Sequence, residues 1–278
     1  MLRLAAPALA EAVATWPAAP RVPLLLAVPE DVAGKPAVAG DKFLARLAKQ
    51  SGVAFDVAGS MLLPYGRAAG FHALAEGLRR LESDQATQVL VGGVDSHLDP
   101  EVLAMLDRSR RLLTSGDGFA PGEGAAFLLL GRGRHAQAGQ PAPIARLNAV
   151  ATGTEPGHRE SSEPYLGEGL ASTLQTLFAA PGAPSRPVKT VYAGLNGESF
   201  WAKEWGTAHV RNRGRFEDDL QLVHPVDCFG DPGAALGPLM TGLAALGIQQ
   251  GHVGEPCLAW CSSDREHRGA ALLSGASN

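Results

Sequence analysis

The chain is 278 residues long, with 24 lysines and arginines against 28 aspartates and glutamates, a formal net charge of −4, 45% hydrophobic residues and 19% charged ones. That length suits one large domain or two packed halves, and the apolar content excludes a disordered chain, which combines low hydrophobicity with high net charge. Mild acidity without any run of lysines or arginines points away from nucleic acid, whose phosphates call for a basic face.

Three cysteines, Cys228, Cys257 and Cys261, are too few for a disulfide framework and lack paired metal-ligand spacing, so they read as reduced cytoplasmic thiols. The apolar stretch at 22–28 is far too short to span a bilayer, and Met1 is followed by Leu-Arg-Leu-Ala-Ala rather than a charged leader with a cleavage site. The expectation is a cytoplasmic protein without membrane contact, bound metal or cofactor.

In chain order, 2–16 is Ala-rich with apolar residues at helical spacing and predicts a helix, followed by a buried strand at 22–28. A second helix is expected between Gly40 and Gly52, with a short β-rich piece at 53–57. From Pro64, with Ala68, Phe71, Ala75 and Leu78 on one face, a helix with proline in its first turn is predicted. Buried strands follow at 89–94 and 127–130, and the alternation suggests a right-handed βαβ unit. The Gly/Ala-rich stretch 132–143 reads as a linker between an N-terminal half, 1–131, and a C-terminal half, 143–278. In the second half strands are expected at 144–150, 188–193, 257–261 and 270–273, and helices at 167–178 and 234–247.

Two segments carry a resemblance. The run Leu90-Val-Gly-Gly-Val-Asp95, followed by Asp117-Gly-Phe-Ala-Pro-Gly-Glu-Gly-Ala-Ala-Phe-Leu-Leu-Leu130, resembles the β-ketoacyl synthase branch of the thiolase-like superfamily. Val191-Tyr-Ala-Gly-Leu-Asn-Gly197, Cys228-Phe-Gly-Asp-Pro-Gly-Ala-Ala-Leu-Gly237 and the hairpin-like segment 261–273 are similar to later family segments in the same order. The resemblance covers about residues 55–275 and implies an α/β fold of five layers, α/β/α/β/α, in two pseudo-symmetric halves. The family's N-terminal strand would precede Met1, so the fold is expected with that strand missing and a sheet edge open to a partner. The family's cap insertions are not found either.

The family's chemistry uses a cysteine thiolate at a helix N-terminus, two histidines and a nearby lysine. Counting from the matched segments puts the nucleophile on Pro64, the first histidine on Gly194, the second on Asp231 and the lysine on Val226. The resemblance therefore implies a ketosynthase-like protein without catalytic residues, a scaffold, accessory or adaptor subunit. Implied partners are a second copy, an active synthase with this chain in a chain-length-factor-like role, or a component of a secretion-effector complex. Dimerisation is expected through the strand at 53–57.

An alternative reading is an acyltransferase with a non-standard nucleophile. Ser60, just before the expected helix, and Cys228, with His224 four residues earlier, are the candidates, against structural roles as a turn serine and a packed thiol. Asp95, His97 and Asp99 form a D-x-H-x-D cluster after a strand, but Asp99-Pro100 reads as a helix cap and first turn rather than a metal site. Cys257 and Cys261 read as core. Trp201 and Trp205, among Glu198, Lys203 and Glu204, read either as a helix edge packed on the second half or as a partner-binding patch.

Overall fold

The computed structural model describes residues 1–14, 21–31, 39–40, 42–113, 116–132 and 142–276. The expected linker falls largely on 133–141, outside the described residues. Two sheets organise the chain. The first contains β1 (Pro23–Ala27), β2 (Asp56–Leu63), β3 (Gln88–Ser96) and β4 (Glu123–Gly131), in the order β2-β1-β3-β4. The second contains β5 (Ala145–Thr154), β6 (Val188–Ala193), β7 (Phe216–Val223), β8 (Cys257–Ser262) and β9 (His267–Gly275), in the order β5-β9-β8-β6-β7.

The sheets share one plan. A parallel trio, β2-β1-β3 or β7-β6-β8, is followed by an antiparallel strand, β4 or β9. Even the irregularities repeat. Between Pro23 and Leu25 of β1, β2 runs from Asp56 to Met61; between Val188 and Thr190 of β6, β7 runs from Phe216 to Gln221. Each outer strand thus carries the same bulge, a feature that bends and twists an edge. In the first, the Ser60 hydroxyl accepts from Leu24 N at 2.7 Å and donates to Asp56 O at 2.5 Å, replacing ladder bonds that the bulge removes.

Helices complete five layers. On the outer side of the first sheet lie α1 (Leu2–Val13) and α2 (Phe43–Ser51), and on the outer side of the second α5 (Glu168–Ala179) and α6 (Ser199–Arg211). Between the sheets run α3 (Ala69–Glu82) and α8 (Leu236–Gln249), while α4 (Pro100–Arg108) and the single turn α7 (Val226–Phe229) are peripheral. Three apolar clusters follow from this layering: a central one built on Phe71, Leu74, Leu236 and Met240, and one under each outer pair of helices. Because α3 and α8 face a sheet on both sides, they need small residues where they cross. A Cβ on Gly70 would run into Pro238 and sit 3.0 Å from the Gly237 Cα. Gly93 of β3 is as constrained, since a Cβ there would lie 2.5 Å from Ala234 O.

Two of the boundaries that differ from the sequence reading carry candidate site residues. Pro64 does not start a helix: it sits in an irregular link, a 3-10 turn follows at Gly66–Ala68, and α3 begins at Ala69. Gly66 takes φ +61°, which right-handed helix cannot continue through. The strand expected at 53–57 runs instead from Asp56 to Leu63, which places Ser60 within β2 rather than at a helix start.

Candidate functional site

The starts of α3 and α8 meet at the middle of the molecule, and around them the second half contributes the end of β6, the chain before α6, and the β8–β9 hairpin. Arg67, in the 3-10 turn before α3, is buried at this junction. Its Nε lies 2.9 Å from Asp231 Oδ2 as an ion pair, although the N–H is not aligned for a hydrogen bond. Nη2 donates to Gly194 O at 2.6 Å and Nη1 to Ser262 O at 3.2 Å. The guanidinium also stands 5.3 Å from the Trp201 ring centroid, within cation–π range. Burial favours its neutral form, but Asp231, with Cys261, Asp264 and Glu198 beyond it, outweighs burial and keeps it charged.

Asp231 is equally engaged. Its Oδ2 accepts from Asn196 Nδ2 at 2.8 Å and its Oδ1 from Gly233 N at 3.0 Å. His97 Nδ1 stands 2.9 Å from Asp231 O, a carbonyl that can only accept, so this nitrogen carries the proton. Burial pushes the Asp231 carboxyl up, and Arg67, His97 and these donors more than reverse it, leaving it below the usual carboxylate range.

The polar chain continues outward. Asn196 Nδ2 also donates to Glu198 Oε2 at 3.2 Å, and its Oδ1 accepts from Glu198 N at 3.1 Å. Glu198 receives a two-pronged contact from Arg111, 2.8 Å on each oxygen, with Arg159 at 2.9 Å and Trp201 Nε1 at 3.0 Å. Arg111 turns its other face to Asp264, at 2.6 and 3.0 Å. Three arginines, 67, 111 and 159, thus meet three carboxylates, 198, 231 and 264, in a charge-balanced lattice. Arg67 and Arg111 come from the first half and their acids from the second, so the lattice stitches the halves together. Ser263 adds a stitch at the start of α3, accepting from Ala68 N at 2.8 Å and donating to Tyr65 O at 2.5 Å.

Gly194 and Asp231 lie in this lattice; Pro64 stands three residues before Arg67, and Val226 is buried in the central core at the start of α7. Ser60 is held in the β2 bulge on both sides of its hydroxyl. Cys228 is exposed on α7, whereas Cys257 and Cys261 are buried in β8, where burial pushes their thiols up to about 12 and about 11. The D-x-H-x-D residues diverge: Asp95 Oδ2 accepts from Ala234 N, His97 faces Asp231 O, and Asp99 caps α4 through Glu101 N. Among the described residues no cluster of three or more His, Cys, Asp or Glu side chains could hold a metal.

The partner-binding reading of Trp201 and Trp205 is corrected. They are 0% and 7% exposed, Trp201 between Arg67 and Arg268, and Trp205 stacked on Trp260 at 5.3 Å with planes 8° apart. Neither ring stands out from the surface as an anchor, and only the edge of Trp205 reaches a groove beside β7. Sequence reading missed Arg67, Arg111 and Asn196. Its available signal was an arginine among small residues, Gly66-Arg-Ala-Ala-Gly70, at a crowded helix start.

Residues 52–136 match the family described as Beta-ketoacyl synthase, N-terminal domain. The fold is that of the thiolase-like ketosynthases. This ketosynthase-like chain superposes on one chain of a solved complex described as a type II PKS acyl-carrier protein in complex with its ketosynthase bound to the hexaketide (TM-score 0.70, 17% identity, covering 84% of this chain and 66% of that one). It also superposes on the ketosynthase from module 6 of the bacillaene synthase from Bacillus subtilis 168 (0.74, 14%, 92% and 55%). A third similar structure is the ishigamide ketosynthase/chain length factor (0.74, 17%, 92% and 75%). The ketosynthase-like chain spans two thirds or less of the first two of these. Among its described residues no helix is long and apolar enough to cross a membrane.

Proposed function

We propose that the ketosynthase-like chain is a non-catalytic scaffold or accessory subunit of a protein assembly, its reaction centre converted into a structural lock. The observation that carries this reading is the buried Arg67–Asp231 pair. In the resembled family a thiol and two histidines converge where the two halves meet. Here the groups that converge there are Arg67, Asn196 and Asp231, so we assign the nucleophile position to Arg67 rather than Pro64 and the first histidine to Asn196 rather than Gly194. Asp231 keeps the second histidine position and Val226 the lysine. An arginine is always protonated in proteins, an amide neither gives nor takes a proton, and the Asp231 carboxylate is held ionised and tied up by Arg67, so this trio lacks the family's thiol nucleophile and its histidine bases. Its polar atoms are instead engaged with one another, with Gly194 O and Ser262 O, and with Glu198 and Gly233 N.

A partner is implied by resemblance. The outer edge of β2, unpaired among the described residues and carrying half-exposed Val57 and Met61, is where a second ketosynthase-like chain would dock, a copy of this chain or an active synthase. An adaptor in a secretion-effector complex is a third assembly of the same class.

The test is intact-mass spectrometry after incubation with acyl-thioester donors, with light-scattering mass on the same sample. The expected result is no covalent adduct, and a mass above that of one chain alone or with a co-purified synthase. A stoichiometric acyl adduct mapped to Ser60 or Cys228 overturns the reading and makes the protein an acyltransferase with a non-standard nucleophile.

A further inference from the structure

The outer strand of the second sheet differs chemically from its counterpart. Where the β2 bulge holds Val57, Ala58 and Gly59, the β7 bulge holds Glu217, Asp218 and Asp219. A cavity of about 240 Å³ lies between β7 and α6, floored by Trp205, Phe216, Leu220 and Leu222 and bordered by Glu217 and Asp218 on one side and His209 and Arg213 on the other. A second, more polar cavity of about 400 Å³ opens beside the bulge, with Lys189, Glu217, Asp219 and Gln221 in its wall. Leu222 is 41% exposed at the groove. No strand among the described residues pairs with the outer edge of β7.

An unpaired strand edge exposes N–H and C=O groups in a row, and proteins guard such edges with charge. A guard of one sign is selective: it repels acidic strands and attracts basic ones. Arg213 pairs with the exposed Asp218 at 3.3 Å and Lys189 lines the polar cavity, against the three carboxylates of Glu217, Asp218 and Asp219, so the bulge keeps a net negative charge. Successive side chains of a strand laid along β7 point to opposite faces. Such a strand can place apolar side chains over Trp205, Leu220 and Leu222 while its lysines or arginines reach Glu217 and Asp219.

We propose that the β7 edge with its groove is a docking site for an extended basic peptide segment of a partner protein, one in which apolar residues alternate with lysine or arginine. Main-chain pairing supplies affinity and the groove and acids supply selectivity, as in other cases of strand addition.

The test uses the full chain and two fluorescent decapeptides, alternating valine–lysine and valine–glutamate, followed by fluorescence anisotropy. The lysine peptide is expected to bind at least about tenfold more tightly than the glutamate peptide, the size two surface ion pairs allow. The double variant Glu217→Lys/Asp219→Lys should reverse that preference. Leu222→Asp, a change at an exposed position, should weaken the lysine peptide about tenfold by polarising the groove. Asp107→Lys, on α4 of the other half, should leave binding unchanged. Failure of the lysine peptide to bind, equal binding of both peptides, or equal loss in the Asp107→Lys variant overturns the proposal and leaves the acidic run as an edge guard alone.

Discussion

Arg67 and Asp231, 164 residues apart in sequence, form an ion pair at 2.9 Å with side chains 7% and 1% exposed. A buried pair gains little over well-packed apolar residues, but breaking it strands a charge. The Arg67 side chain bonds to Gly194, Asp231 and Ser262, all from the second half, so the pair is expected to favour one closure of the halves over others rather than to add stability.

Arg67→Met tests that arrangement. It keeps much of the side-chain length but leaves Asp231 without its counter-charge, and should cost about 3–5 kcal/mol in urea unfolding. The double variant Arg67→Met/Asp231→Leu should recover a large part of that loss, because no buried charge remains. A single variant as stable as the parent would show that the pair is dispensable.

Stability should depend on Glu30. Burial, assisted by Asp264, pushes its carboxyl up to about 7, against the backbone contact and positive charge of Arg265. The folded state therefore holds this proton more tightly than the unfolded state, where the ordinary value is 4.5. Its contribution is complete below pH 4.5 and fades as pH rises through 7, a change on the order of 3 kcal/mol. Melting curves of Glu30→Gln against the parent should coincide near pH 4.5 and separate by pH 8, with the variant the more stable.

His72 should act in the opposite sense. Burial, then the neighbouring His267, lowers its imidazole to about 4, so the folded state refuses a proton that the unfolded chain accepts below 6.5. Stability is lost as pH falls from 6.5 towards 4. In thermal melts His72→Phe should lose less stability than the parent between pH 7 and pH 5; parallel losses would remove His72 from the account.

Two glycines should respond to alanine with opposite signs. Gly70→Ala drives a methyl into Pro238 and Gly237 at the crossing of α3 and α8 and should destabilise by about 1–3 kcal/mol. Gly206 lies on the exposed face of α6, where an added methyl would meet nothing within 4 Å, so Gly206→Ala should stabilise by about 0.5–1 kcal/mol through helix propensity alone. Denaturant midpoints of the two variants decide this directly.

Thiol labelling separates the cysteines. Cys228 should react with a maleimide in the native protein, while Cys257 and Cys261 react only on unfolding, because their burial suppresses the thiolate. Native labelling of more than one thiol per chain would contradict the packing of β8.

The sequence by itself determined the elements whose signals are local. The apolar run of β6 was read at its observed bounds, 188–193, and Asp99-Pro100 was read as a cap and first turn, as Asp99 is found to be. The glycine-rich segments were enough to place the chain among ketosynthase-like folds. The acidic strand β7 was not legible, because an edge strand needs no apolar face and its alternation is broken by the bulge. Only the tertiary structure decided the fate of the site. Counting residues cannot show that Arg67 reaches Gly194, Asp231 and Ser262, since ion pairs across such separations have no period to betray them. The two tryptophans show the same limit: charged neighbours in sequence suggested a surface, but a helix carries charge and ring on different faces, and packing buried Trp205 on Trp260 of β8 and Trp201 between Arg67 and Arg268.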